Sequence, residues 1–182
     1  MGCSSSKSES KNDPYERKKI AKLLRKHNID SDAHVIDEHY ELVIDIKSNH
    51  KNVHEFFKEA EKYRFPPIRK LMILNMYNLS QEEKIDCRKF FINSCPHVMD
   101  VLYLEAGDYL LDIHSFEEAM PGLLNAARQQ VYLKSWCFEG ESLEVIFDNA
   151  INAHQVVLDH CNIGDFFDGF GFKQEQPCSI QY

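Results

Sequence analysis

Four segments of this chain repeat one pattern. "MILNMYNL" (72–79), "LYLEAGDY" (102–109), "VYLKSWCF" (131–138) and "VVLDHCNI" (156–163) each read apolar-x-Leu-x-x-[Tyr/Gly/Trp/Cys]-x-apolar. Their central leucines, Leu74, Leu104, Leu133 and Leu158, are spaced by 30, 29 and 25 residues. A fainter unit, "LVIDIKSN" (42–49), places Ile44 thirty residues before Leu74. A period of this length corresponds to one supersecondary unit. No such unit buries its apolar face alone, so neighbours must stack.

The intervening segments read as helices. "SQEE" (80–83) and "SFEE" (115–118) have the capping-box pattern that opens a helix. Phe116, Ala119, Met120, Leu123, Leu124 and Ala127 follow helical spacing, as do Leu143, Ile146, Phe147, Ala150 and Ile151. Val53, Phe56, Phe57, Ala60 and Tyr63 form a third such set, and Pro121 is expected to kink or restart the second helix. Strand and helix therefore alternate, which leaves two architectures open. One is a horseshoe solenoid; the other is an unrelated small α/β domain with parallel strands.

The repeated segments resemble the leucine-rich repeat family, whose pattern is L-x-x-L-x-L-x-x-[NC]-x-L. "SCPHVMDVLYLEAG" also resembles its cysteine-containing variants, in which Cys-Pro precedes the strand. The resemblance covers residues 66–166, or 40–166 with the fainter unit. The column normally Asn or Cys holds Tyr77, Gly107, Trp136 and Cys161, so one member fits. The runs "KLMIL" and its like leave the register open by one residue, and a slip exchanges the buried and exposed sets. The fold implied is α/β: a short solenoid of the ribonuclease-inhibitor-like subtype, with parallel strands on the concave face, helices on the convex face and an N-terminal helical cap. The expected divisions are a tail at 1–12, a basic helix and capping unit at 13–65, the array at 66–170 and a C-terminal tail at 171–182.

Such a horseshoe turns alternate strand residues toward a partner. One outward column would be Ile73, Tyr103, Tyr132 and Val157. The next would be Asn75, Glu105, Lys134 and Asp159, flanked by His160. Aromatic residues beside a charged column suit protein recognition. The alternative is that Tyr103 and Tyr132 pair across strands and stabilise the sheet, and both roles are compatible.

Charge is divided between the two ends. Residues 1–28 carry +5 and residues 29–182 carry −13, within a chain total of −8. The acidic body argues against nucleic acid and for a membrane surface as the partner of the basic arm. The opening "MGCSSSK" matches M-G-x-x-x-[ST] through Gly2 and Ser6. It resembles the dual-acylation signals of Src-like kinases and G-protein α subunits, which implies myristoylation of Gly2 and palmitoylation of Cys3. One myristoyl chain gives only marginal binding, with a partition constant on the order of 10⁴ M⁻¹, so a second signal is required. Cys3 supplies one; the basic residues Lys7, Lys11, Arg17, Lys18, Lys19, Lys22, Arg25 and Lys26 supply another.

Asp13, Pro14 and Glu16 read as the capped start of a helix in which Ile20, Leu23 and Leu24 share a stripe about 100° wide. That stripe can lie on a membrane, enter a groove such as calmodulin's, or dock on the body as a cap.

No phosphate loop, zinc-protease motif or nucleophile elbow is present in the sequence, and no cofactor or metal is expected. His50 and His54 lie four apart where a helix begins, with no carboxylate or cysteine placed to complete a metal site, so a solvated face is expected there. "GDFFDGFGF" puts Phe166, Phe170 and Pro177 at ligand positions of a calcium loop, which it therefore cannot be. The expected role is a non-catalytic adaptor on the cytosolic face of a membrane, binding a protein partner through the concave surface. The alternatives are a GTPase regulator and a substrate receptor of a ubiquitin ligase, both built on leucine-rich repeats.

Overall fold

The computed structural model describes residues 16–34, 39–48, 50–94, 99–107, 111–138, 142–163 and 178–181. The chain opens with α1 (Arg17–Lys26), β1 (Asp30–His34), β2 (His39–Asp45), α2 (His50–Ala60) and β3 (Ile68–Leu74). It continues through α3 (Gln81–Ser94), β4 (Met99–Glu105), β5 (Leu111–Asp112), α4 (Met120–Ala126), β6 (Ala127–Lys134) and β7 (Trp136–Cys137). It ends with α5 (Ser142–Asn149), β8 (Gln155–Cys161) and β9 (Cys178–Gln181).

Five of these strands pair parallel in the order β2-β3-β4-β6-β8, which is also their order in the sequence. The order never reverses. Right-handed crossovers, the rule for parallel units, then carry every connecting helix over the same face of the sheet. Burial alternates accordingly. Leu42, Leu71, Leu102, Val131 and Val156 form one buried column and Ile44, Ile73, Leu104, Leu133 and Leu158 the next, with the residues between them half-buried. Two antiparallel strands close the ends: β1 pairs with β2, and β9 pairs with β8 through Val157–Gln181, Leu158–Ile180 and Cys161–Cys178. Residues 178–181 are thus an edge strand and not part of a tail, and the two outermost parallel strands leave no unpaired edge toward β1 and β9.

Between sheet and helices lies an aromatic layer. Phe56, Phe57, Phe65, Phe90 and Phe91 join through Phe116 to Trp136, with ring centroids 5.4–6.4 Å apart. Edge-on and tilted pairs of this kind each contribute about 0.5–1.5 kcal/mol beyond the area they bury.

The helices confirm some expectations and correct others. α3 opens with the capping box as read: the Ser80 N–H donates to Glu83 Oε2 (2.7 Å) and the Glu83 N–H to Ser80 Oγ (3.3 Å). "SFEE" makes no such box, because residues 113–116 form a 3₁₀ turn capped by Asp112, whose Oδ1 accepts from the His114 N–H (2.9 Å). Pro121 then stands in the first turn of a restarted helix, where its missing N–H leaves no partner unsatisfied. Ala127, read as helical, begins β6. Phe147 and Ile151 are 39% and 72% exposed: α5 turns Leu143 and Ile146 inward and ends at Asn149.

At the N-terminal end, α1 docks its Ile20, Leu23 and Leu24 stripe into the core as a cap. The helix starts at Arg17, with Glu16 as its N-cap in left-handed backbone (φ 48°), so Glu16 is not the third residue of a capping box. Asp13 and Pro14, like Gly2, Cys3, Lys7 and Lys11, lie outside the described residues.

Three of the units leave their strands in the same way. Asn75, Ser135 and His160 stand two residues beyond Ile73, Leu133 and Leu158 and share left-handed backbone, with φ of 61°, 60° and 52°. In the unit between them the turn falls one residue later, at Gly107 (φ 113°). One more residue along, the chain supplies a buried donor to the strand before it. The Trp136 indole N–H donates to the Leu104 carbonyl (3.0 Å), and Cys161 Sγ–H to the Leu133 carbonyl (3.3 Å). Past these turns, β5 and β7 pair parallel and Cys137 bridges to Asn162, a second thin line of pairing beside the main sheet.

Candidate functional site: the uncovered face of the sheet

The face of the sheet opposite the helices carries one row of side chains from five strands. Register places Val43, Met72, Tyr103, Tyr132 and Val157 side by side. All five are half-buried. The neighbouring row holds Asp45 opposite Leu74 on the N-terminal side, and Glu105, Lys134 and Asp159 in register on the C-terminal side. An apolar and aromatic row therefore runs beside a charged one.

Two residues expected on this face lie elsewhere. Ile73 is fully buried toward the helices, because Leu71 pairs with Leu102 and Ile73 with Leu104. Met72 takes the outward place. The contiguous run "KLMIL" offers no alternation from which the facing side can be read, and pairing with β4 decides it. Asn75 lies past the end of β3 in left-handed backbone, where its Nδ2 donates to Asp45 Oδ1 (2.8 Å). Tyr103, Glu105, Tyr132, Lys134, Asp159 and His160 lie together as expected. Asp45 was missed; the faint unit 42–49 held the signal, since Asp45 follows Ile44 as Asp159 follows Leu158.

The site is internally bonded. Tyr103 and Tyr132 stack with centroids 4.8 Å apart and planes 13° from parallel. The Tyr103 hydroxyl donates to Glu105 Oε2 (3.0 Å) and the Tyr132 hydroxyl to Asp159 Oδ2 (2.7 Å). Lys134 Nζ lies 3.5 Å from Glu105 Oε1, and His160 Nδ1 2.6 Å from Asp159 Oδ1. Tyr103 and Tyr132 thus pair across strands, on the face opposite the helices.

These contacts fix protonation. Burial first, and then the hydrogen bond to Glu105, hold the Tyr103 phenol far above its ordinary value. The hydrogen bond to Asp159, followed by burial, pushes Tyr132 up to about 12. Both therefore remain neutral donors at physiological pH. Asp45 moves the other way: burial raises it, but bonds from Asn75, Ser48 and the Lys47 N–H outweigh that and leave it below the usual carboxylate range.

A raised folded-state pKa stabilises fully below the unfolded tyrosine value of about 10, and the contribution is lost as pH rises through the folded value. Absorbance titration of the folded chain should leave Tyr103 and Tyr132 un-ionised at pH 11. Stability should fall between pH 10 and about 12. In Tyr103→Phe with Tyr132→Phe, the delayed ionisation should be absent.

A second polar cluster joins α2 to α3. Contrary to the reading of His50 and His54 as lacking carboxylates, His50 Nε2 and His54 Nδ1 each lie 3.3 Å from the Glu83 carboxylate. His54 Nε2 lies 3.4 Å from Asp86 Oδ2. The acids come from a helix some thirty residues later, beyond the reach of local spacing. Burial raises the Glu83 carboxyl, but bonds from Ser80 and electrostatic attraction to the two imidazoles bring it below its usual value. Among the described residues no group of three or more His, Cys, Asp or Glu is arranged to hold a metal ion, and no helix is long and apolar enough to cross a membrane.

Compared with protein-family models, with curated proteins and with solved structures, the chain matches none of them.

Proposed function

We propose that this chain is a non-catalytic adaptor held at the cytosolic face of a membrane, where a short leucine-rich repeat array presents its uncovered sheet face to a protein partner. The observation that carries the reading is the row Val43, Met72, Tyr103, Tyr132 and Val157: half-buried apolar and aromatic side chains lined up on the sheet face opposite the helices, with no second layer over it among the described residues. Aromatic and Met side chains beside a charged row are the composition of protein interfaces.

The repeat reading draws support from three features of the fold: strand order equal to chain order, the recurring left-handed exit at Asn75, Ser135 and His160, and the Trp136 and Cys161 donors. In two of the four units the residue in the [NC] column, Trp136 or Cys161, donates a hydrogen bond to the preceding strand's carbonyl. Gly2 and Cys3 are the proposed acylation sites, and the cations of α1 add attraction for anionic lipid of about 1 kcal/mol each.

Proximity labelling in cells tests the partner face. Met72→Ser with Tyr103→Ser should lose a defined set of labelled proteins that Ile85→Ser, on the exposed side of α3, retains. Thermal unfolding establishes that both variants are folded. The same labelled set in all three proteins would contradict the reading.

A further inference from the structure

The basic helix has a use beyond diffuse attraction to a charged leaflet. Over Arg17–Lys26, α1 carries six cations and no acid, and its apolar stripe is consumed against the core. The helix cannot therefore insert that stripe into lipid, and what it offers outward is charge. Lys19, Lys22 and Lys26, at i, i+3 and i+7, line one wall of a cleft between α1 and the end of α2, together with Leu23. Glu59 and Tyr63 line the other. The cleft has a volume of about 460 Å³, within the range of small-molecule sites, about 300–1,000 Å³.

The charges in the cleft are arranged, not merely accumulated. Lys19 is held by Glu16 and Lys26 by Glu59, which places two ammonium groups at either end of the lysine row. Each ammonium has three donors, so one carboxylate contact leaves others available. Lys22, between them, makes no ion pair among the described residues. Three lysines lining one cleft beside a tyrosine suit a phosphate, which lysine binds as a point charge, better than a planar carboxylate, which favours arginine.

We propose that this cleft binds the phosphomonoester headgroup of an anionic lipid, with Lys22 as its central contact and Lys19 and Lys26 beside it. Such a lipid sits where the proposed acyl chains on Gly2 and Cys3 would hold α1, and a phosphomonoester carries more charge per headgroup than phosphatidylserine. The inference rests on the reading of the chain as a membrane protein, and it is separable from acylation because the described lining of the cleft comes from α1, Glu59 and Tyr63.

The test uses full-length protein made in bacteria, hence unacylated, with vesicles of phosphatidylcholine carrying either phosphatidylinositol bisphosphate or phosphatidylserine at matched total charge. Binding to the phosphoinositide vesicles is expected to be about tenfold tighter, the size of one charge-assisted contact. Lys22→Gln should remove most of that difference. Lys18→Gln, exposed on the same helix but outside the cleft, should change it less than twofold. Soluble inositol trisphosphate should compete.

Equal binding to the two vesicle types would overturn the proposal, as would equal losses from Lys18→Gln and Lys22→Gln, which mark diffuse electrostatics. Binding of free inositol phosphate without vesicle binding would overturn the lipid assignment. None of these results depends on whether Gly2 is acylated in cells.

Discussion

Trp136→Ala is expected to lower the stability of the protein by about 3–5 kcal/mol, the range for deleting a buried tryptophan. Trp136 is fully buried, packs edge-on against Phe116 at 6.0 Å, and donates its indole N–H to the Leu104 carbonyl. The truncation therefore combines a large cavity with a buried carbonyl deprived of its donor. Trp136→Phe separates the two effects. It keeps most of the ring and loses the N–H, and should cost about 1–3 kcal/mol, the desolvation penalty of an unpaired buried acceptor. Urea unfolding followed by circular dichroism measures both. If Trp136→Phe matched the wild type, the donation to the preceding strand would not contribute to stability.

Gly107→Ala should destabilise by about 2–4 kcal/mol, from two causes that a second substitution tells apart. The backbone at Gly107 has φ 113°, which an L side chain adopts only under strain. A Cβ there would also lie 2.3 Å and 2.5 Å from two atoms of the Tyr77 ring. Tyr77 is held close because its N–H donates to the Ala106 carbonyl (2.8 Å). In the Tyr77→Ala background the added methyl meets no ring, so Gly107→Ala should cost about 1–3 kcal/mol less there than in the wild type. Equal costs in both backgrounds would assign the whole effect to backbone strain.

Much of the architecture was legible because it rests on period. Apolar columns recurring every 25–30 residues with helical runs between them lead to parallel strands and crossover helices, and the fainter unit at 42–49 begins within β2, a full strand of the sheet. What escaped depends on partners distant in sequence. β1 and β9 are short: "DSDAH" holds a single apolar residue and "CSIQ" is only four residues long, and each is a strand because an unpaired edge lies beside it. The facing of Met72 and Ile73 was hidden by five consecutive residues without alternation and was decided by β4.

The candidate site was legible where outward residues alternate cleanly, as in "LYLE" and "VYLK", and not where the chain turns, as at Asn75. The carboxylates beside His50 and His54 come from α3 and are invisible to any reading of α2. The α1–α2 cleft likewise brings Glu59 and Tyr63 to lysines more than thirty residues earlier.

The central claim is that lipid fixes the place of this protein and the uncovered face selects its partner. Fractionation of a eukaryotic lysate expressing the wild type, Gly2→Ala or Cys3→Ser, washed at low and high salt, tests the first half on which the second depends. The account predicts that the wild type pellets with membranes at both salt concentrations, Gly2→Ala is soluble, and Cys3→Ser pellets at low salt and is released at high salt. All three proteins remaining in the soluble fraction would contradict it.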